Sequence, residues 1–535
     1  MDTKALRQKI LDLAIRGKLV PQDPSDEPAS VLLERIRQQK QQMVKEGKLK
    51  PKDIKNDSVI FVGEDNLHYE KFSDGSVKCI EDEIPFDLPD GWAWERLSNL
   101  ASFSGGKTPS TSRSEYWDGD ILWVTSKDMK SKYITSSQLR LSALGAEQMQ
   151  MYQPDTLLLV TRSGILRHTL PVAILKECAT INQDLKAIIL YMPQLAEYIY
   201  VCLKGMETQL LLKYTKSGTT VENVNFDEFQ KVLLPIPPIQ QIDRIMSSTG
   251  SAESVVSTIE DDKAALADYV IKAKSKILNL AIRGQLAPQD PADEPASVLL
   301  ERIRAEKEEL IKQGKIKRDK KESVIFRGED NSYYEKIGDD VRCIDEKIPF
   351  DIPDTWEWVR LENCCSKEIR RGKSPKYTER SGTLVFAQKC NTKYNGIDVG
   401  LALYLDENTL SRYPADEYMQ DSDVVVNSTG TGTLGRVGIY HTTDNHRGLP
   451  IVPDSHVTVI RAAHSFQAFY MYAFIKANQS ELEKKGEGST NQKELKPLTL
   501  KEMLIPVPPY SEQERIAAAI TAVFSTISAM EKSLN

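Results

Sequence analysis

The stretch "KILDLAIRGKLVPQDPSDEPASVLLERIR", Lys9 to Arg37, returns as "KILNLAIRGQLAPQDPADEPASVLLERIR", Lys276 to Arg304, an offset of 267. Two further blocks repeat in the same order. "IPFDLPDGWAWERL" from Ile84 returns as "IPFDIPDTWEWVRL" from Ile348, an offset of 264. "PIPPIQQIDRI" from Pro235 returns as "PVPPYSEQERI" from Pro506, an offset of 271. A period near 270 residues is too long for a solenoid, so one whole architecture is written twice. The molecule is expected to be pseudo-twofold.

The repeated frame reads as helix. From Ile242, the residues Ile245, Thr249, Ala252, Val256, Ile259, Lys263, Leu266, Val270, Ala273, Ile277 and Leu280 follow in steps of three and four. That is a heptad seam with polar breaks at Thr249 and Lys263. Arg283-Gly284 stops it, a Pro-rich turn follows, and a second helix is expected from about Pro295 to Gly314. The same spacing continues in Ile516, Ile520, Val523, Ile527, Met530 and Leu534, where the chain stops, and in Leu6, Ile10 and Leu13, where it starts. Shifted by 271 and 267, these sets fall on the two halves of the central seam. The termini thus read as one helical unit cut open, to be laid against the central helix, and the chain as pseudo-circular. At 1.5 Å per residue the central helix reaches roughly 60 Å.

Between the repeated landmarks lie two inserts that differ from each other. Strands are expected in "ILWVTSKDM" from Ile121, "DTLLLVTRSG" from Asp155 and "KAIILYM" from Lys186. The second insert offers "DVVVNSTGTGTLGRVGIY" from Asp423 and "HVTVIRA" from His456. The fold class is α+β: two mixed α/β modules separated by long antiparallel coiled-coil helices. The segments are 1–50 (N-terminal scaffold helices), 51–90 (connector), 91–235 (first module), 236–315 (central scaffold), 316–354 (connector), 355–505 (second module) and 506–535 (C-terminal scaffold helix).

Composition narrows the function. The net charge of −7 at pH 7 argues against a generally basic nucleic-acid binder, but not against local basic faces. No apolar run is long enough to span a membrane, and the charged start lacks a signal-peptide core. The seven cysteines never form C-x-x-C, which suits reduced thiols in the cytoplasm. The six histidines show no metal-ligand spacing, so no metal site is expected. No nucleotide-methylating, nuclease or S-adenosylmethionine-binding motif stands out. Trp92, Trp94, Trp356 and Trp358 are read as core anchors rather than base-stacking platforms.

One motif needs weighing. "ASFSGGKTPS", from Ala101, satisfies the relaxed A-x(4)-G-K-T phosphate-loop pattern. The second copy keeps Gly372-Lys373-Ser374-Pro375 but has Lys367 where the pattern needs glycine or alanine. No apolar run ending in a magnesium-binding Asp follows either. A cationic loop on DNA phosphate fits both copies better. Loops rich in Gly, Ser, Thr, Asn, Lys and Arg suit phosphates and base edges. In the first module the candidates are Lys107, Thr108, Ser110, Arg113, Lys127, Arg162, Ser163, Arg167 and Lys216. In the second they are Arg371, Lys373, Ser374, Lys389, Asn427, Thr429, Arg436, Asn491 and Lys493. Lys107 and Lys373 are assigned to phosphate; Arg162, Arg167, Asn427 and Arg436 are assigned to base edges.

The chain resembles the specificity (S) subunit of a type I restriction–modification enzyme. The resemblance rests on "GWAWERLSNLASFSGGKTPS…YWDGDILWV", on "SGTTVENVNFDEFQKVLLPIPPIQQIDRI", and on "LKPLTLKEMLIPVPPYSEQERIAAAI". It covers essentially the whole chain. The first exit departs slightly, with Gln241-Ile242-Asp243 where the second has Glu-Gln-Glu. The resemblance implies a non-catalytic subunit whose two target-recognition domains each read one half of a bipartite double-stranded DNA site. It implies helices that set the gap and bind two modification (M) subunits, with restriction (R) subunits added. S-adenosylmethionine, ATP and Mg would belong to those partners, and none to this chain. Two alternatives compete: a P-loop ATPase with coiled-coil arms, and a structural coiled-coil adaptor.

Overall fold

The computed structural model describes residues 2–216, 221–316, 318, 323–393, 396–430, 432–488 and 493–534. The chain divides into two compact units, Met1–Lys263 and Ala264–Asn535. The division falls inside one continuous helix, Ile239–Ile282. The C-terminal helix, Tyr510–Leu534, shifted by 271 covers 239–263 of that helix. The N-terminal helix, Thr3–Ile15, shifted by 267 covers 270–282. Each unit is therefore one full repeat, and the two carry the same elements in the same order.

An equivalent ion pair ties the terminal helix to the long helix in each unit. Arg7 meets Glu260 at 2.8 Å in the first, and Lys274 meets Glu531 at 2.9 Å in the second. The seam read from the sequence is buried only toward its ends. Ile242, Ile245, Thr249 and Val256 are buried, whereas Leu266 and Ala273 are exposed. At the far end burial passes to Leu278, Ala281 and Ile282.

The repeated blocks recur because they touch one another. Gly17 (φ 65°) and Gly284 (φ 69°) end their helices in the left-handed region. The amide of Lys18 then donates to the Leu13 carbonyl at 2.8 Å, and that of Gln285 to Leu280 at 2.9 Å. A Cβ on Gly17 would lie 2.6 Å from Pro89 Cγ, and one on Gly284 would lie 2.6 Å from Pro353 Cγ. The following tryptophans reach the exit motif: Trp92 Nε1 donates to Gln241 and Trp356 Nε1 to Glu512, both at 2.9 Å. Arg244 pairs with Asp26, and Arg515 with Asp293 at 2.6 Å, so the exit motif also clamps the Pro-rich turn. All four tryptophans named above are buried anchors.

The connectors hold structure that the heptad-and-insert reading passes over. In the first unit β1 (Ser58–Val62), β2 (His68–Phe72) and β3 (Val77–Cys79) form an antiparallel meander. Then β4 (Ala93–Arg96) pairs antiparallel with the last strand of the unit, β16 (Leu233–Ile236), so the two ends of the first module are zipped together.

The module between them contains, in chain order, β5 (Ala101–Gly105), β6 (Trp117–Val124), β7 (Tyr133–Ile134), β8 (Leu139–Leu141) and β9 (Leu157–Val160). There follow β10 (Arg162–Ser163), β11 (Val172–Leu175), β12 (Ala179–Ile181), β13 (Leu185–Leu190), β14 (Thr215–Lys216) and β15 (Glu222–Val224). The sheets run β5-β13-β9-β11-β7, β12-β6-β8 and β10-β15-β14. Leu157 to Val160 are buried on both faces, which is why that strand reads as an unbroken apolar run.

The second unit repeats the plan with β17 (Ser323–Arg327), β18 (Tyr333–Ile337) and β19 (Asp340–Cys343) as meander, and β20 (Glu357–Arg360) paired to β29 (Leu504–Val507). Its module is built on two four-stranded sheets: one carries β21 (Arg370–Arg371), β25 (Asp423–Asn427), β26 (Val437–Tyr440) and β28 (Val457–Ile460), and the other β22 (Tyr377–Thr378), β23 (Leu384–Phe386), β24 (Leu403–Leu405) and β27 (Ile451–Pro453).

Candidate nucleic-acid interface

The Gly-Lys-[Thr/Ser]-Pro loops are shaped by a close backbone approach. A Cβ on Gly106 would lie 2.2 Å from the carbonyl oxygens of both Ile181 and Asn182. One on Gly372 would lie 2.2 Å from the Pro453 oxygen and 2.4 Å from that of Asp454. Only glycine fits where the loop presses on the facing strand end. No helix follows: after β5 the next element is a single 3-10 turn, Ser114–Tyr116. A phosphate loop needs a helix N-terminus there, so the ATPase alternative has no structural basis.

The two lysines that follow have different surroundings. Lys107 is exposed, and its ammonium has no partner among the described residues. Around it Thr108 bonds Gln183, Ser110 Oγ lies 2.8 Å from Ser112 Oγ, and Arg113 reaches the Tyr116 hydroxyl at 2.9 Å. Lys373 is committed internally. Its ammonium donates to the Arg412 carbonyl, lies 3.5 Å from the buried Glu417 carboxylate, and sits 5.9 Å over the Tyr413 ring. The matched loops are thus one free cation and one neutralised cation. Lys107→Ala is expected to weaken binding to all duplexes alike and to reduce the salt slope by about one unit. Lys373→Ala is expected to leave that slope unchanged. Titrations of both variants across salt concentrations check this; equal slope changes would contradict it.

A second cationic feature is built by strand pairing. Arg162 on β10 and Lys216 on β14 both lie opposite Asn223 on β15. Cross-strand partners share a face, so the three form a row. All three are exposed, and neither cationic head has a partner among the described residues. Ser163 instead caps the following turn, accepting from Ile165 N at 3.4 Å. Arg167 does not join the row: it pairs with the buried Glu222 and acts as a strut. Lys127 is exposed on the turn after β6.

In the second unit the corresponding row is Thr429, Glu494 and Glu487, joined by two antiparallel bridges. Thr429 Oγ1 lies 2.7 Å from His456 Nδ1, Arg371 pairs with Glu494, and Lys496 meets Glu487 at 2.6 Å. One register position therefore carries two cations and an amide in one unit, and a hydroxyl and two carboxylates in the other. Ser374, Lys389 and Lys493 are exposed.

Two further residues assigned to base edges have their polar groups engaged inside the fold. Asn427 is fully buried, donating to the Gln388 carbonyl at 3.1 Å and accepting from Asn391 at 3.3 Å, so its amide is spent inside the fold. Arg436 spends its guanidinium on the carbonyls of Asn391 (2.8 Å) and Gly432 (3.0 Å). Asn491 lies outside the described residues. Asn223, Glu494 and Glu487 were not singled out from the sequence, since only pairing reveals them. No group of three or more His, Cys, Asp or Glu able to hold a metal occurs among the described residues. Nor is any described helix long and apolar enough to cross a membrane.

The model of the "Type I restriction modification DNA specificity domain" family matches residues 89–252 and 353–535. The chain belongs to this family. The two matches coincide with the two modules and their exit helices. The chain is 28% identical to the specificity subunit of the Escherichia coli type I restriction enzyme EcoAI, over 67% of this chain and 62% of that one. It is 24% identical to the EcoEI specificity subunit of Escherichia coli, over 99% of this chain and 90% of that one. A chain from a solved structure of a type I restriction–modification system shares the fold at a TM-score of 0.52 and 16% identity, covering 84% of this chain and 94% of that one. Both matches are to a DNA-specificity domain, which makes this a DNA-recognition protein.

Proposed function

We propose that the chain is the target-reading subunit of a type I restriction–modification assembly, with each unit reading one half of a bipartite duplex site. The observation that carries this is the contrast at one register: Arg162, Asn223 and Lys216 against Thr429, Glu494 and Glu487. Arginine and lysine pair with guanine O6 and N7 and asparagine with adenine, whereas the carboxylates of the second row are taken up by Arg371 and Lys496. Chemically opposite rows on one scaffold suit two different half-sites. Lys107 supplies phosphate contact that positions without specifying. Two modification subunits carry S-adenosylmethionine and the methyl transfer, and restriction subunits add ATP- and Mg-dependent steps. The acidic balance of the whole chain then leaves part of the DNA clamp to those partners.

The test exchanges residues 91–235 for the matching segment of a relative and sequences the methylome of cells making the hybrid with its modification subunit. One half of the methylated motif should change and the other should stay. Simultaneous change of both halves would refute the modular reading.

A further inference from the structure

Both connector meanders expose the same apolar face. In the first unit the ladder puts Val59 opposite Lys71, Phe61 opposite Tyr69, Tyr69 opposite Cys79 and Lys71 opposite Val77. The second puts Val324 opposite Lys336, Phe326 opposite Tyr334, Tyr334 opposite Cys343 and Lys336 opposite Val341. Cross-strand partners share a face, so each unit presents Val, Phe, Tyr, Lys, Val and Cys in one arrangement. The opposite faces are the ones used inside: Ile60 packs with Trp94, and Ile325 with Trp358.

The outer faces are neither loose nor covered. Phe61 and Phe326 are each 41% exposed, and Val77 and Val341 are 53% and 49% exposed. Phe61 stacks on Tyr69 with centroids 5.8 Å apart, and Phe326 on Tyr334 at 5.9 Å. The tyrosine hydroxyls donate to Asp65 at 2.7 Å and to Asp330 at 2.9 Å, which fixes the rings. Gly63 and Gly328 make room for them, since a Cβ there would come within 2.8 Å and 2.7 Å of the rings. Lys71 and Lys336, beside the stacks, form no ion pair among the described residues.

An ordered apolar face with one unpaired cation is a protein-docking surface. DNA would require several cations, and each face offers one. The recognition rows differ between units while these faces agree, so their occupant must come twice and look the same each time. We propose that the outer face of each meander docks one copy of the modification subunit, through an apolar patch on that subunit carrying a carboxylate for Lys71 or Lys336. This rests on the restriction–modification reading given above.

Native cysteines supply the test. Cys79 and Cys343 are free and exposed on the two faces, and Cys178 is free and exposed on the first module. The full chain is mixed with excess modification subunit, co-elution is verified, and each thiol's alkylation rate is followed by mass spectrometry. Labelling of Cys79 and Cys343 should slow at least tenfold while Cys178 keeps its rate. Unchanged rates within a complex that does form would overturn the docking site and spare the restriction–modification reading. Failure of any complex to form would overturn both. Protection that needs only a higher concentration of this chain, or only added restriction subunit or DNA, would assign the faces to those occupants and refute the proposal. In parallel, Phe61→Glu and Phe326→Glu should each reduce the bound modification subunits from two to one per chain, and the double variant should bind none. Two subunits retained on either single variant would refute it as well.

Discussion

Arg96→Ala lowers the stability of the first unit by about 3–5 kcal/mol, the cost of leaving a buried carboxylate without its partner. Arg96 holds Glu70 through two contacts, Nη2 to Oε2 at 2.7 Å and Nε to Oε1 at 3.2 Å. Its Nη1 donates to Glu83 Oε2 and to the Lys231 carbonyl, both at 2.8 Å. The side chains of Arg96 and Glu70 are 10% and 5% exposed, so water cannot replace the lost bonds. One guanidinium thus ties the meander, strand β4 and the segment before β16 together. Burial alone would raise the Glu83 pKa, but Arg96 and Lys78 hold it at about 2. That contribution is present above the ordinary carboxylate range and disappears as pH falls through about 2. The variant should therefore also lose part of its acid limb. The second unit repeats the pair in Arg360 and Glu335, but with greater exposure and with Lys347 where the first unit has Glu83. Arg360→Ala should cost less. Denaturant unfolding with hydrogen exchange on peptides covering 58–79 and 323–343 checks both. An Arg96→Ala loss under about 1 kcal/mol, the value of an exposed pair, would refute the assignment.

Much of this frame was legible because duplication turns one sequence into its own comparison. The Ala-Ile-Arg-Gly, Pro-Asp-x-Trp, Pro-x-Pro-Pro and Asp-Glu-Pro blocks recur, and the structure shows them meeting at Gly17, Trp92, Gln241 and Asp26. The cut point near Lys263 follows from the two offsets alone. The meanders escaped notice because their alternation is short and their outer face is apolar. A half-buried strand in a soluble protein should show polar residues where Phe61 and Val77 stand. Their repeated "SVIF…GEDN…YEK" was nonetheless present in the sequence as a further repeat. The heptad seam misled in its middle because periodicity marks a face, not the partner that would cover it.

The recognition surface was harder to read. Arg162, Lys107 and Lys216, picked by residue type, are exposed. The same logic chose Asn427 and Arg436, whose polar groups close backbone carbonyls inside the second module. Sequence shows that a side chain can donate, and only the fold shows that its donors are already used. Lys107 and Lys373 illustrate the point most sharply. Their loops share Gly-Lys-[Thr/Ser]-Pro, and the difference lies in Glu417, distant in sequence, which pairs with Lys373, whereas no carboxylate pairs with Lys107 among the described residues.

Glu95→Gln is expected to stabilise the first unit at pH 8 by about 3 kcal/mol and to leave it nearly unchanged at pH 4.5. Glu95 is 3% exposed, on β4 beside Arg96. Burial raises its carboxyl from 4.5 to about 7, against the opposing pull of the Asn99 amide, 2.6 Å from Oε1, and the Arg96 amide, 2.9 Å from it. The folded group therefore keeps its proton where the unfolded one has lost it. Between pH 4.5 and 7 unfolding releases a proton, so stability falls as pH rises, and above about 7 the loss is complete. Glutamine keeps the acceptor for both donors and has no charge to bury. The second copy of this strand already places an apolar residue, Val359, at the matching position, so the fold does not need an acid there. Other groups also titrate in this range, and only the difference between wild type and variant isolates Glu95. Denaturant midpoints for both proteins at pH 4.5, 6, 7 and 8 measure it. A difference that stays flat across that series would mean that Glu95 is ionised in the folded chain, with its charge matched by Lys40 and Arg37.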